Sequence, residues 1–142
     1  MIEFTVPGIP KPAGSKRAFF NKKTGKAMIV DTCAKSGDWK ADVKAFARQE
    51  YKGPLLDGPI ELSIIFYMPR PKNHFGTGKK AGILKANAPQ WHTTKPDRTK
   101  LTRGLEDSLT GVIWRDDSQV VCGDIRKVYG SLPGARIIVR QI

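Results

Sequence analysis

Alternating apolar and polar residues predict strands near the start, the middle and the end of the chain. Apolar side chains recur at every second position in 2–9 and, most regularly, in 60–68. Residues 125–128 and 135–142 repeat this pattern, and the glycine-bounded segment 130–134 between them suits a turn. We therefore expect the last two strands to form a closing antiparallel pair.

Residues 36–51 have the spacing of an amphipathic helix. Ser36 is a candidate N-cap, because its hydroxyl can accept a hydrogen bond from the first turn. Apolar side chains then recur at helical spacing on one face, at Trp39, Val43, Phe46 and Ala47. This face is expected to be buried.

A second helix is predicted from Pro96 to about Thr110, with Gly111 as its stop. Its core stripe consists of Leu101, Leu105 and Leu109. The opposite face is polar and carries Thr99, Arg103, Glu106 and Asp107. Gly104 costs about 1 kcal/mol relative to alanine inside a helix, which indicates close approach by another part of the backbone.

The remaining segments complete an α+β prediction. Residues 16–30 are typical of a hairpin, with the turn sequence Lys-Lys-Thr-Gly between two short runs. Residues 71–90 have no periodicity and are predicted to form a long loop. His74 and His92 are expected to be surface residues rather than metal ligands. The whole chain, 1–142, is predicted to be a single domain with a mixed or antiparallel sheet and two main helices packed on it.

The composition is that of a globular and strongly basic protein. Of 142 residues, 39% are hydrophobic and 27% are charged, and the formal net charge is +12. Such a charge favours a polyanionic partner, although other basic proteins share it. The chain has no apolar run long enough to span a bilayer and no basic, apolar leader, so we expect a cytoplasmic protein with no membrane partner. Cys33 and Cys122 form no Cys-x-x-Cys pair, which argues against structural zinc and predicts free, at least partly buried thiols.

Acidic residues gather in one stretch, 95–121, which holds five of the thirteen. Each carboxylate weakens the attraction of a basic protein for polyanions, whereas a site that holds Mg²⁺ against a phosphate requires carboxylates. Asp97 and the Asp116–Asp117 pair would converge if the chain folds back after the second helix, and Arg103 would then reach a bound phosphate. Each acid also has an ordinary alternative, since Asp97 suits a helix N-terminus and the pair suits a turn.

The combination of these motifs resembles the RusA-type Holliday junction resolvases. Lys-Pro-Asp is followed by a leucine-striped helix that ends in Leu-Thr-Gly and then by Trp-Arg-Asp-Asp-Ser-Gln-Val-Val. The close likeness covers 95–121, and the length and order of elements fit across most of the chain. The resemblance implies a small homodimeric endodeoxyribonuclease of bacteria and phages, active in DNA recombination and repair. It also implies paired nicking of four-way DNA junctions with Mg²⁺, for which Mn²⁺ is a possible substitute, and no small-molecule cofactor.

The resemblance assigns roles to individual positions. Asp97 matches the family's first metal-binding aspartate, and Asp117 matches a further catalytic aspartate. Asp116 precedes the latter, and Asp107 occupies the helix aspartate of the pattern. Arg103 stands at the family's catalytic lysine, where it keeps the charge but changes its geometry. The metal ligands predicted in this way are Asp97, Asp107, Asp116 and Asp117. Glu106 is a fifth predicted ligand.

Two positions depart from the family pattern K-P-D-x-D-N-x-x-K. Thr99 stands where the family has a second aspartate, and Lys100 stands where it has an asparagine. A hydroxyl group is a poor substitute for a carboxylate at Mg²⁺ because it brings no charge. In one explanation Glu106, seven residues further along the same helix face, supplies the missing carboxylate. In the other, the metal site is weakened, and the protein binds branched DNA without cutting it well.

Basic residues imply the surface that contacts DNA. Segment 70–95 contains six basic residues and no acidic one. Contacts to the DNA backbone that do not depend on sequence are expected from Lys16, Arg17, Lys72, Lys79, Lys80, Lys95 and Lys100. Apolar residues of the sheet or of the first helix are candidate dimer contacts, although core packing is the simpler role for each. An RNA-binding protein is a weaker alternative, because no aromatic-rich strand typical of RNA recognition is apparent.

Overall fold

The computed structural model describes the backbone of residues 1–13, 16–21, 26–31 and 36–142, and the side chains of 1–13 and 38–142. Its helices and strands, in chain order, are β1 (Ile2–Pro7), β2 (Lys16–Asn21), β3 (Lys26–Asp31), α1 (Ser36–Glu50), β4 (Ile60–Met68), α2 (Arg98–Leu109), β5 (Val120–Cys122), β6 (Ile125–Tyr129) and β7 (Gly134–Gln141). Short 3₁₀ turns occur at Lys72–His74, Gly78–Lys80 and Asp117–Gln119.

Strand β4 lies at the centre of the main sheet, which has five strands in the described part of the chain. On one edge of β4 lies β7, antiparallel to it, and β1 pairs antiparallel with β7. On the other edge β5 and β6 both run parallel to β4. The chain between β4 and β6 passes through the long loop and α2, as a parallel pair requires a crossover connection. The predicted α+β fold with a mixed sheet is confirmed.

The predicted antiparallel pairing of the last two strands is wrong. β6 and β7 lie on opposite edges of β4, so residues 130–133 cross over its end, where the Gly130 amide donates to the Met68 carbonyl at 3.0 Å. The crossing covers about two strand spacings, roughly 10 Å, which four residues span easily. Alternation alone does not distinguish the two arrangements, because β6 presents the same side-chain pattern whichever strand it pairs with.

The predicted apolar face of α1 belongs to the core. Trp39 is 3% exposed, and Val43 and Ala47 are fully buried, so core packing is confirmed for these residues. The leucine stripe of α2 is fully buried as well, and α1 packs against both α2 and β1.

Gly104 allows α2 to approach the segment after β1. A Cβ atom at this position would lie 3.1 Å from the Ala13 amide nitrogen, and that amide donates a 3.0 Å hydrogen bond to the Lys100 carbonyl. The close backbone approach predicted from the glycine is therefore confirmed. It holds the first turn of α2 against the chain segment that follows β1.

Other predictions have mixed outcomes. β2 and β3 pair antiparallel, which confirms the hairpin, while its turn and Cys33 lie outside the described residues. Cys122 is free but exposed, so the prediction that it is partly buried is wrong.

Residues 71–90 form the predicted long loop, with two short 3₁₀ turns. Within the described residues, no helix is both long and apolar enough to cross a membrane.

The predicted surface position of the two histidines is wrong. His92 is 8% exposed and His74 is half-buried. Both rings meet Tyr129 edge-on, with centroid distances of 4.9 Å for His92 and 4.8 Å for His74. Burial lowers the pKa of His92, and the nearby charge of Lys127 lowers it further.

Candidate active site

The polar face of α2 forms one wall of a cleft of about 540 Å³. Helix periodicity places the leucine stripe in the core, so the side chains a half-turn away point outward along the helix. The opposite wall comes from the loop and strand that follow α2. Lining residues are Arg98, Thr99, Thr102, Arg103, Glu106, Asp117, Gly123, Asp124 and Ile125.

Glu106 and Asp117 face this cleft from its two walls. Glu106 is half-buried, and this burial raises its pKa; the charges of Asp117 and Asp107 raise it further. The pKa of Asp117 is also raised, first by hydrogen bonding with the Asp116 carboxyl and then by burial and neighbouring negative charge. Negative charge is therefore concentrated between the second half of α2 and the Asp117 turn.

A compact turn presents Asp117 to the cleft. Asp116 precedes the 3₁₀ turn Asp117–Gln119, and its Oδ1 accepts a 3.0 Å hydrogen bond from the Ser118 amide. This bond lowers the pKa of Asp116. The Gln119 side chain accepts from the Arg115 and Asp116 amides, at 2.9 Å each. Asp116 thus has the turn-forming role that was the ordinary alternative, and Gln119 holds the same turn from within.

Gln119 also ties this turn to the loop before β4. Its Nε2 donates to the carbonyl oxygens of Leu56 at 2.9 Å and Gly58 at 3.0 Å. With the two accepted bonds, all four hydrogen-bonding positions of the amide are used. In the sequence Gln119 was only one residue of a motif, because its positioning role depends on contacts with the distant segment 56–58.

Asp124 also lines the cleft, although it was not among the predicted site residues. β5 and β6 follow one another along the same edge of β4, and Gly123 and Asp124 form the break between them. Gly123 has φ +136°, and a Cβ atom there would lie 1.7 Å from the Leu62 carbonyl oxygen, so no side chain fits. Asp124 follows with its amide 3.3 Å from Ser63 Oγ and its carboxylate 3.8 Å from Arg126. The glycine was the available signal for this break.

Asp97 lies at the other end of α2. It is the N-cap residue by position, but its side chain makes no capping hydrogen bond; its Oδ2 lies 3.9 Å from Lys100 Nζ. Nine residues separate it from Glu106, about 13 Å along the helix axis. Asp97 lines a different cavity from Glu106 and Asp117.

Lys127 holds the segment that leads to Asp97. Its Nζ donates 2.7 Å hydrogen bonds to the carbonyl oxygens of Thr94 and Pro96. Burial lowers the pKa of this lysine, and the negative charge of Asp97 opposes the shift. Its position in β6 gave no sequence signal of this role.

Two further predicted residues have partners outside the carboxylate cluster. Arg103 lines the cleft, and its guanidinium lies 3.5 Å from the Ala13 carbonyl oxygen. Asp107 faces α1, where its carboxylate lies 3.7 Å from Lys40 Nζ. Asp107 therefore contributes charge to the cleft without lining it.

The predicted DNA-contacting lysines with described side chains are all on the surface. They are Lys72, Lys79, Lys80, Lys95 and Lys100. Lys16 and Arg17 lie in β2, where the side chains are outside the described part of the structure. The five described lysines come from the long loop and from the N-terminal end of α2.

The cleft has the donor chemistry that suits Mg²⁺. Carboxylate oxygens are its preferred protein ligands. Burial raises the pKa of Glu106 and the Asp116 hydrogen bond raises that of Asp117, and in both cases neighbouring negative charge adds a smaller contribution that a divalent cation would offset. Where side chains are described, no group of three or more His, Cys, Asp or Glu has the spacing to hold one ion. Two carboxylates are nevertheless enough for Mg²⁺, which keeps several of its waters when it binds to protein.

Comparison with known proteins gives a consistent result. The family model described as Endodeoxyribonuclease RusA matches residues 9–140. A Bacillus subtilis (strain 168) protein called "Uncharacterized protein YqaN" is 32% identical over 146 residues, which cover 99% of this chain and 96% of that protein. The matched span includes all of α2 and both walls of the cleft.

Proposed function

This chain belongs to the RusA family of endodeoxyribonucleases, and from that premise we propose that it resolves four-way DNA junctions by metal-dependent, paired nicking. Membership supports a nuclease that acts on DNA in recombination. The proposal adds Mg²⁺ dependence, with Mn²⁺ as a substitute, the paired cuts and a homodimer. It treats residues 1–142 as one catalytic domain that works in the bacterial cytoplasm, where its DNA substrate lies.

The pairing of Glu106 with Asp117 in one cleft carries this proposal. Thr99 lines the same cleft, so Glu106 stands on the wall where the family's second aspartate is absent. The influence of Asp117 on the pKa of Glu106 indicates that the two carboxylates are electrostatic neighbours. This arrangement supports Glu106 as the replacement for that aspartate.

In the proposed reaction, Glu106 and Asp117 bind the cation, and Asp107 and Asp116 strengthen the negative potential around it. A cation held there would supply two kinds of chemistry, activation of a water molecule and neutralisation of charge on the phosphate. Arg103, on the same wall as Glu106, donates hydrogen bonds to the phosphate oxygens as negative charge develops on them.

We assign Asp97 a role apart from the Glu106–Asp117 pair. Its distance from Glu106 along α2, about 13 Å, disfavours direct coordination of one ion by both side chains. Its match to the Lys-Pro-Asp motif supports a role as a metal ligand at this end of α2. Lys127 positions it through the carbonyl groups that precede it.

The homodimer is part of the proposed mechanism because two cuts placed symmetrically across a junction need two active sites at a fixed separation. The exposed lysines of the long loop and of the α2 N-terminus would hold the junction arms by their phosphates, independently of sequence. Binding should therefore weaken steeply with added salt, whereas the choice of a branched substrate should depend on the dimer.

Nicking of an end-labelled synthetic four-way junction tests this function. We expect paired cuts near the branch point with Mg²⁺ or Mn²⁺, no cuts with chelator, and little cutting of linear duplex at the same salt concentration. Asp117→Asn should abolish cutting. Asp42→Asn, which removes an exposed carboxylate on α1, is the matched control and should cut normally.

Thr99 favours one alternative outcome, a protein of the same fold that binds branched DNA but cuts it weakly. Tight junction binding that survives chelator, together with no cutting in either metal, would establish that alternative. It would also contradict the assignment of Glu106 as the replacement carboxylate.

A further inference from the structure

A second cavity, of about 500 Å³, opens at the N-terminal end of α2. It is separate from the carboxylate cleft and shares none of that cleft's lining residues. Its walls are mainly apolar. They consist of four prolines together with an isoleucine and a methionine: Pro10, Pro12, Pro69, Pro96, Ile9 and Met68. This volume lies within the range of small-ligand sites, about 300–1,000 Å³.

The cavity also carries positive charge. Lys11, Lys95 and Lys100 line it together with a single carboxylate, Asp97. The Asp97 carboxylate lies 3.9 Å from Lys100, which leaves Lys11 and Lys95 as cations without an acidic neighbour among the lining residues. Apolar walls with an excess of cations suit a ligand that has both a flat apolar part and a phosphate.

His92 is a further part of the cavity wall. The residue is 8% exposed, and its Nε2 lies 3.2 Å from Thr94 Oγ1. Its Nδ1 is buried and has no hydrogen-bond partner in the described structure, so this atom is not accessible to a ligand in the cavity. The imidazole therefore contributes ring surface to the wall.

We propose that this cavity takes one nucleotide of the DNA strand, drawn out of the helical stack beside the phosphate that is cut. This inference rests on the proposed nuclease function. The base packs between the proline rings by dispersion contacts, and its phosphates lie against Lys11 and Lys95. Asp97 lies at the edge of the cavity, so the occupied site is next to a predicted metal ligand. Extrusion is easiest where stacking is already interrupted, as at a branch point.

An apolar side chain from another protein fits these features less well. It would fill the proline-lined part but leave the excess lysine charge unmatched. A DNA nucleotide matches both the apolar walls and the cations.

Fluorescence of 2-aminopurine, placed in turn at each position around the branch point, tests the inference. The complex is formed in chelator, so that no cutting occurs, and complex formation is measured separately by a gel-shift assay. We expect a severalfold rise in fluorescence at one position. Ile9→Asp puts a carboxylate at a cavity wall and should abolish the rise. Ile142→Asp is the matched control, because Ile9 is 46% exposed and Ile142 is 57% exposed, and it should preserve the rise.

No rise at any position in a bound junction would overturn the inference, as would a rise that Ile9→Asp leaves unchanged in a folded protein. Cutting is measured on the same variants with Mg²⁺. Normal cutting without a fluorescence rise would reject the nucleotide site and retain the nuclease. A rise that depends on Ile9, in a protein that does not cut, would retain the site and reject the nuclease.

Discussion

Replacement of Gln119 by alanine should loosen the turn that presents Asp117 to the cleft. The side chain makes four hydrogen bonds, two accepted from the Arg115 and Asp116 amides and two donated to the Leu56 and Gly58 carbonyls. Alanine removes all four at once. The turn then loses both its internal brace and its attachment to the loop before β4.

The magnitude follows from the exposure of these bonds. A net hydrogen bond contributes about 0.5–1.5 kcal/mol, and water replaces the exposed ones at little cost. The bond to Leu56 is partly buried and the other three are exposed. We therefore expect the free energy of unfolding to fall by roughly 1–2 kcal/mol. If most of that loss is local to the turn, the affinity for Mg²⁺ should fall roughly five- to tenfold.

Two assays measure these effects. Urea denaturation gives the free energy of unfolding, and the Mg²⁺ concentration for half-maximal junction cutting gives the effect on the metal site. Gln141→Ala is the matched control, because Gln141 donates to the Asp57 carbonyl in the same loop but does not touch the Asp117 turn. Unchanged Mg²⁺ dependence in Gln119→Ala, or an equal change in Gln141→Ala, would refute the positioning role.

Three further predictions concern the surroundings of the site. Glu106→Gln should abolish junction cutting but not junction binding, whereas Asp107→Asn should reduce cutting less than tenfold; single-turnover rates and gel shifts compare the two. Lys127→Met removes two 2.7 Å hydrogen bonds to the segment before the Lys-Pro-Asp aspartate and should slow cutting about tenfold without changing duplex affinity. The pKa of His92 in the folded protein is lower than its ordinary value of 6.5. Below pH 6.5 the unfolded state therefore binds a proton at this residue more readily than the folded state does. The free energy of unfolding should therefore fall as the pH drops from 7 toward 5, and urea denaturation at each pH should show a shallower fall in His92→Gln than in the unaltered protein.

Local periodicity was sufficient to predict the elements that carry the site. The leucine spacing of α2 fixes which face is buried and therefore places Glu106 and Arg103 on the outer face. Gly104 likewise predicted the close approach that the Ala13 backbone makes. These features depend on residues within a few turns of one another, where sequence spacing determines geometry.

Features that depend on contacts between distant segments were not predictable in this way. The position of β6 beside β4 rather than β7 is set by the crossover through α2, which alternation does not encode. Asp124 enters the cleft because the edge strand breaks at Gly123, and burial of His92 and Lys127 follows from the pairing of residues 90–92 with β6. In each case the chemistry of the residue was visible, but its neighbours were not.

Binding of Mn²⁺, followed by electron paramagnetic resonance, tests most directly whether Glu106 and Asp117 share an ion. The account predicts that Glu106→Gln and Asp117→Asn each weaken binding at least tenfold and that Asp42→Asn binds like the unaltered protein. If both cleft variants bind Mn²⁺ as tightly as the unaltered protein, the two carboxylates do not form the metal site, and the central claim is contradicted.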